Sequence, residues 1–207
     1  MRTTPKLERC FWFILASSPV FPTSARAQAA RPQASAVLQS GTLSFSAHAT
    51  VGDFVGSTST VTGVASGDVA NARGWVQTPV ATLVTHNDHR DRDLRASMEV
   101  EKYPTMRFDL VRATIVSALP VDGDSTAVLL HGTLLIHGVT RAVELPATIV
   151  RGGDTIHVTS TFPLDLGDYR IDGLTKMLGL LRMDSKIQVR ADLRFVATPP
   201  TAQTSSP

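Results

Sequence analysis

The feature that most constrains this chain is a hydrophobic alternation with a period of two. Leu43, Phe45, Ala47, Ala49 and Val51 are separated by Thr42, Ser44, Ser46, His48 and Thr50. Successive side chains of a strand point to opposite faces, so this segment folds as a strand with one dry and one wet face. The same period returns at Ile187, Val189, Ala191, Leu193 and Phe195. Here the intervening residues are Lys186, Gln188, Arg190, Asp192 and Arg194, an almost wholly charged outer face. With 43–51 and 187–195, further candidate strands at 57–65, 75–85, 105–117, 125–136, 142–150 and 155–162 make eight. Asp122-Gly123-Asp124, His137-Gly138 and Gly152-Gly153-Asp154 join neighbours over distances that permit only antiparallel pairing. Two segments break the pattern, 88–101 and 174–181, and both are expected to be short helices. The fold class is therefore all-β with one or two short helices. Alternation alone leaves open whether the strands stack as a sandwich or close into a barrel.

The ends carry a different message. Arg2, Lys6 and Arg9 precede the apolar run Cys10-Phe11-Trp12-Phe13-Ile14-Leu15-Ala16, and Ala25-Arg26-Ala27 offers a small-x-small cleavage site. Residues 1–27 read as a secretory signal peptide, with the mature chain beginning near Gln28. Ser17, Ser18 and Pro19 interrupt the apolar run well before the about 20 residues that a membrane span needs. The expected location is export, to a periplasm or the cell exterior. Cys10, the only cysteine, falls in the signal, so no disulfide or thiol chemistry is expected in the mature chain. Residues 1–27 also hold four basic side chains and one acid. Removing them takes the net charge from +2 to about −1, and a nucleic-acid partner loses its electrostatic argument. Residues 28–38 read as a disordered linker and 198–207 as a disordered tail, leaving 39–197 as one domain.

Candidate chemistry is sparse. Among six histidines the densest group is Thr85-His86-Asn87-Asp88-His89-Arg90-Asp91. His86 and His89 with Asp88 or Asp91 could bind zinc in a metal-dependent hydrolase, but no third ligand is evident and the charged neighbours fit a solvated helix start better. His131 and His137 flank one strand, and His48 lies on the wet face of another. Asp91, Asp93 and Glu99 sit among Arg90, Arg92 and Arg95, as on a salt-laced helix surface. There is no G-x-S-x-G elbow and no glycine-rich phosphate cradle. What remains is apolar surface: Leu43, Phe45, Phe54, Met106, Phe108, Leu134, Ile136, Val143, Leu145 and Phe162 point inward by strand phase. They either fill a packed core, as in a structural or partner-binding domain, or line a cavity.

Four stretches, in order, resemble a known family. They are Leu43-Ser44-Phe45-Ser46-Ala47-His48 through Gly52-Asp53-Phe54-Val55-Gly56; Arg90-Asp91-Arg92-Asp93-Leu94-Arg95-Ala96-Ser97 with Lys102-Tyr103-Pro104-Thr105-Met106-Arg107-Phe108; Gly132-Thr133-Leu134-Leu135-Ile136-His137-Gly138-Val139-Thr140-Arg141-Ala142-Val143-Glu144-Leu145-Pro146; and Phe162-Pro163-Leu164-Asp165 with Asp168-Tyr169. This order is similar to that of the YceI-like polyisoprenoid-binding proteins, often exported by bacteria. The resemblance implies an extended, lipocalin-like eight-stranded antiparallel barrel. It implies further that the ten inward residues hold an isoprenoid or other long-chain lipid, of polyprenyl or quinone type, without catalysis and with no metal or cofactor. The oligomeric state is left open, a homodimer included.

Overall fold

The structure, a computed structural model, describes residues 35–50, 52–68, 71–117, 125–171, 175–176 and 181–198. Contacts divide the chain into units 1–31 and 32–207, and every described residue belongs to the second. The expected signal, residues 28–34 of the expected linker, residues 199–207 of the expected tail and the Asp122-Gly123-Asp124 turn lie outside the described residues.

The strands are β1 (Ser35–Ala49), β2 (Gly52–Thr58), β3 (Thr62–Ser66), β4 (Arg73–Pro79), β5 (Thr105–Ser117), β6 (Ser125–Ile136), β7 (Val139–Gly152), β8 (Thr155–Asp165), β9 (Thr175–Lys176), β10 (Leu181–Arg182) and β11 (Lys186–Thr198). A single α-helix, α1 (Asp88–Ser97), and 3-10 turns at Val80–Thr82 and Leu166–Tyr169 complete the described elements. β3, β4, β5, β6, β7, β8, β11 and β1 pair antiparallel in that order, and β1 returns to β3, which closes an eight-stranded barrel. Closure leaves no free edge in the ring, the usual solution for a sheet with one wet face. β2 pairs with the second half of β1, Leu43 to Ala49, above the point where β3 ends. Bulges near Leu38 and Ser40 in β1, and between Leu110/Arg112 and Ile115/Ser117 in β5, bend these long strands around the barrel.

Several sequence expectations change. The segment 57–65 is two strands, because the backbone turns at 59–61: Thr60 N donates to Thr58 Oγ1 at 3.0 Å, and Thr78 Oγ1 donates to the Thr60 carbonyl at 2.6 Å. The strand at 75–85 stops at Pro79, whose missing N–H cannot extend a ladder, and Thr82 Oγ1 caps the Pro79 carbonyl at 2.8 Å. The strand at 142–150 extends to 139–152, and that at 155–162 to 165. The first helix ends at Ser97, four residues before 101. Glu99 takes the left-handed conformation (φ 43°), Val100 N bonds the Arg95 carbonyl and Glu99 N the Ala96 carbonyl. That is the usual glycine stop made by a glutamate, which no local signal announces. The second helix, 174–181, is corrected: its described residues are the short strand Thr175–Lys176 and Leu181 of β10, and the others lie outside the described residues. The linker expectation for 35–38 also fails, because Ala36 and Val37 pair with β11 on one side and β3 on the other. Thr198, assigned to the tail, ends β11 opposite Ser35.

Register divides the interior in two. Ala36, Leu193 and Phe195, with Leu38, Val61, Ala65, Val76, Ile156, Val158 and Ala191, form a second, smaller apolar cluster near the β7–β8 turn. The larger cluster, including Val80, Leu83, Met98, Leu134, Ile136, Leu145, Phe162 and Tyr169, occupies the end covered by α1. No helix among the described residues is long and apolar enough to cross a membrane.

Candidate functional site

Among the described residues, the side chains at the α1 end of the barrel leave space between them. A cavity of about 480 Å³ opens there, within the about 300–1,000 Å³ typical of small-molecule sites. Its walls come from the second half of β1 (Leu43, Phe45, Ala49), β2 (Phe54), the start of β5 (Met106), the end of β6 (Leu134, Ile136), the end of β8 (Phe162, Leu164) and the start of β11 (Ile187, Val189). Leu83, Leu94, Met98, Leu166, Ile171 and Met183 supply the remaining apolar surface. Leu43, Phe45, Phe54 and Met106 point inward yet are only half-buried, as expected where facing atoms are missing. The Phe45 and Phe54 rings meet edge to face, with centroids 6.1 Å apart, and form one side of the opening.

The helix is held over this opening by its own start. Asn87 caps α1, its side chain accepting from Arg90 N at 3.0 Å. Asp91, 6% exposed, accepts from Thr85 N at 2.8 Å and from Thr85 Oγ1 at 2.6 Å. The Thr85 hydroxyl bond outweighs burial and holds the Asp91 carboxyl below its ordinary range. This leaves Arg90, Leu94, Ser97 and Met98 on the cavity side of α1, at the spacing of one helical face. The lining residues Thr50, Asn87, His89 and Asp93 are exposed, so the rim lies between α1 and the β1–β2 hairpin. At that rim the Arg90 guanidinium stands 4.2 Å over the Phe54 ring.

Of the ten residues chosen by strand phase, seven line this cavity: Leu43, Phe45, Phe54, Met106, Leu134, Ile136 and Phe162. Leu145 is buried in the surrounding core, and Phe108 and Val143 pack against it. Ile187 and Val189 were omitted although they lie on the dry face of the final strand. Their phase was sufficient to find them. Leu94 and Met98 carry the i, i+4 signal of a helix face, whereas Met183 and Ile171 carry none.

The histidines do not converge. His48 is exposed and bonds Asp53 Oδ1 at 2.5 Å, and that hydrogen bond, with the Asp53 charge, raises its pKa. His89 Nδ1 accepts from Arg92 at 2.8 Å. His131 lies between Glu144 and Thr114 on the outer wall, each at 2.9 Å. His137, in the tight β6–β7 turn, is 8% exposed and donates from Nδ1 to the Tyr169 carbonyl at 3.1 Å. Its ring stacks edge-on with Tyr103, centroids 4.5 Å apart, and Nε2 lies 3.7 Å from Glu99 Oε1. Among the described residues no three His, Cys, Asp or Glu side chains form a group that could hold a metal ion. The hydrolase alternative built on His86, His89, Asp88 and Asp91 thus lacks its constellation, since Asp91 is turned inward to Thr85.

Known structures share this architecture. BcnA of Burkholderia cenocepacia is 16% identical with a TM-score of 0.62, the match covering 74% of this chain and 95% of that one. A polyisoprenoid binding domain of Saccharophagus degradans, implicated in plant cell wall breakdown, is 16% identical with a TM-score of 0.62, covering 80% and 99%. The YCEI protein of Campylobacter jejuni is 21% identical with a TM-score of 0.54, covering 70% and 84%. At these identities the likeness establishes the fold. No curated protein is significantly similar in sequence. The YceI-like domain model matches residues 31–195, and the chain therefore belongs to the YceI-like domain family.

Proposed function

We propose that this protein binds a long apolar lipid, of isoprenoid type, in the α1 end of the barrel and carries or stores it without chemical change. The observation that carries the reading is the unfilled interior: large inward side chains are left half-buried around about 480 Å³ of apolar space. A tail entering it gains about 0.8 kcal/mol for each buried CH₂ group, before the costs of ordering and association are subtracted. The buried side chains of Leu193 and Phe195, which occupy the interior at the other end, support a tail that enters from the α1 rim. Membership of the YceI-like family, and the likeness to a polyisoprenoid binding domain of another organism, support an isoprenoid over other chains.

The test is organic extraction of the purified mature protein followed by mass spectrometry, together with titration of a fluorescent prenyl probe. A prenyl lipid near one per chain, displaced by the probe, is expected. Empty extracts and no probe binding by a folded barrel would overturn the reading. Export is part of the same proposal and rests on residues 1–27. Cell fractionation and N-terminal sequencing check it: a mature chain starting near Gln28 outside the cytoplasm supports it, and a full-length cytoplasmic protein refutes it.

A further inference from the structure

The outer wall of the barrel carries a second depression, at a break in its hydrogen-bonded ladder. β1 pairs with β3 up to Val37 and with β2 from Leu43 onward, so residues 38–42 have a strand partner on their β11 side only. Gln39 is the extra residue of the β1 bulge and stands opposite no residue of β11. The segment across the break is turned on itself: Val61 N donates to the Ser59 carbonyl, and the Thr60 carbonyl accepts from Thr78 Oγ1. Backbone N–H and C=O groups left without a ladder need partners of another kind. Over this break lies a trough of about 460 Å³, within the size range of small-molecule sites. Ser40 and Thr42 of β1 form its floor, Ser59 and Val61 stand on one side, and Asp192 and Arg194 on the other.

We propose that this trough is a second binding site, for a neutral polyhydroxylated ligand of the saccharide class. Asp192 and Arg194 project from the wet face of β11, since Leu193 between them is buried in the interior. His157 of β8 donates from Nε2 to Asp192 Oδ1 at 2.7 Å, and the Arg190 guanidinium lies 3.8 Å from Oδ2. The carboxylate is thus fixed beside the floor with lone pairs left for hydroxyl donors. Arg194 brings N–H donors, the Ser40, Thr42 and Ser59 hydroxyls both donate and accept, and the Gln39 amide does the same. One carboxylate and one guanidinium cancel, so a charged ligand meets attraction and repulsion together, whereas a run of hydroxyls uses both. An amino-acid zwitterion would answer the two charges and leave the four neutral groups unused. Val61 offers an apolar spot for the C–H face of a sugar ring. No residue of this trough lines the α1 cavity, and the proposal does not rest on lipid binding.

The experiment follows backbone amide shifts of the isotope-labelled mature protein during titration with glucose, N-acetylglucosamine and maltose, each to about 50 mM. At least one of the three is expected to bind with a Kd of about 1–10 mM, the range of a shallow polar site. Its saturable shifts are expected at 39–42, 59–61, 157 and 192–194, with a bound prenyl probe left in place. Ser40→Tyr, which fills the floor from an exposed position, is expected to abolish binding. Asp192→Asn is expected to weaken it about fivefold or more, with the amide spectrum of the remaining barrel showing that the fold is intact. Gln188→Ala, exposed on the same face of β11 outside the trough, is expected to change nothing. Absence of saturable shifts with all three sugars overturns the proposal, as does binding that survives Ser40→Tyr or Asp192→Asn. Glycine or phosphate, titrated in the same way and occupying the trough more tightly than any of the sugars, overturns it in favour of a zwitterion or an anion.

Discussion

Asp91 is the residue whose removal most directly tests how the helix is held over the cavity. Its carboxylate accepts two hydrogen bonds from Thr85, at 2.8 and 2.6 Å, and both residues are buried. Hydrogen bonds to a charged group contribute about 1.5–3 kcal/mol each, and loss of the acceptor leaves the Thr85 amide and hydroxyl unsatisfied. Allowing for partial relaxation, Asp91→Ala is expected to cost about 2–4 kcal/mol, which for a domain of this size lowers Tm by about 5–15 °C. Asp88→Ala, exposed in the same first turn, is the control and is expected to shift Tm by no more than about 4 °C. Because the Asp91 pKa is held below its ordinary value of 3.8, the ionised form stabilises the fold above about pH 4. That contribution disappears as pH falls through the lowered pKa, so the gap between the unaltered protein and Asp91→Asn is expected to narrow below pH 4. Thr85 lines the cavity, so a bound prenyl probe is also expected to leave Asp91→Ala faster. Thermal and urea unfolding from pH 2.5 to 7, with amide exchange across α1, reads all of this. A Tm loss no larger than the Asp88 control, or a gap that is constant with pH, would refute the pinning argument.

Other expectations follow from the same geometry. Ser97→Trp places an indole in the rim and is expected to abolish prenyl-probe binding with the far-ultraviolet dichroism of the barrel retained; undiminished binding would move the opening elsewhere. A saturating lipid at about 100 times its Kd is expected to stabilise the protein by about 2.7 kcal/mol, read as a Tm rise of about 5–10 °C in differential scanning fluorimetry. Phe162→Ala, a buried wall residue, is expected to cost about 3–5 kcal/mol in urea unfolding and to regain part of that with bound lipid. Gly138→Ala combines a positive φ of 71° with the Tyr103 ring standing where a Cβ would go, and is expected to lower stability by more than 1 kcal/mol.

Much of this protein is determined locally. The alternation at Leu43 to Ala49 and at Ile187 to Phe195 dictates strands with a known dry face, and two-residue turns such as His137-Gly138 dictate antiparallel neighbours. The start of α1 is likewise a local matter, since the Asn87 side chain accepts from Arg90 N three residues on. Strand phase alone therefore reached seven of the residues that line the cavity. It could not separate them from Phe108, Val143 and Leu145, because facing inward is a property of one strand, while facing empty space depends on what the opposite wall contributes. The break at 59–61, the glutamate stop at Glu99 and the use of Ser35 to Leu38 as barrel wall were equally illegible, since each depends on partners distant in sequence.

Tertiary structure decided the rest. Asp91 reads in sequence as one of several surface carboxylates, and only the packing of α1 turns it onto Thr85. Arg90 reads as one charge in a run of charges, and only the arrival of Phe54 from β2 puts an aromatic ring 4.2 Å from it at the rim. Period-two patterning specifies which side of a strand avoids water. Closure by β1 between β3 and β11, the plug at Leu193 and Phe195, and the helix across the other end specify that this dry side encloses a space.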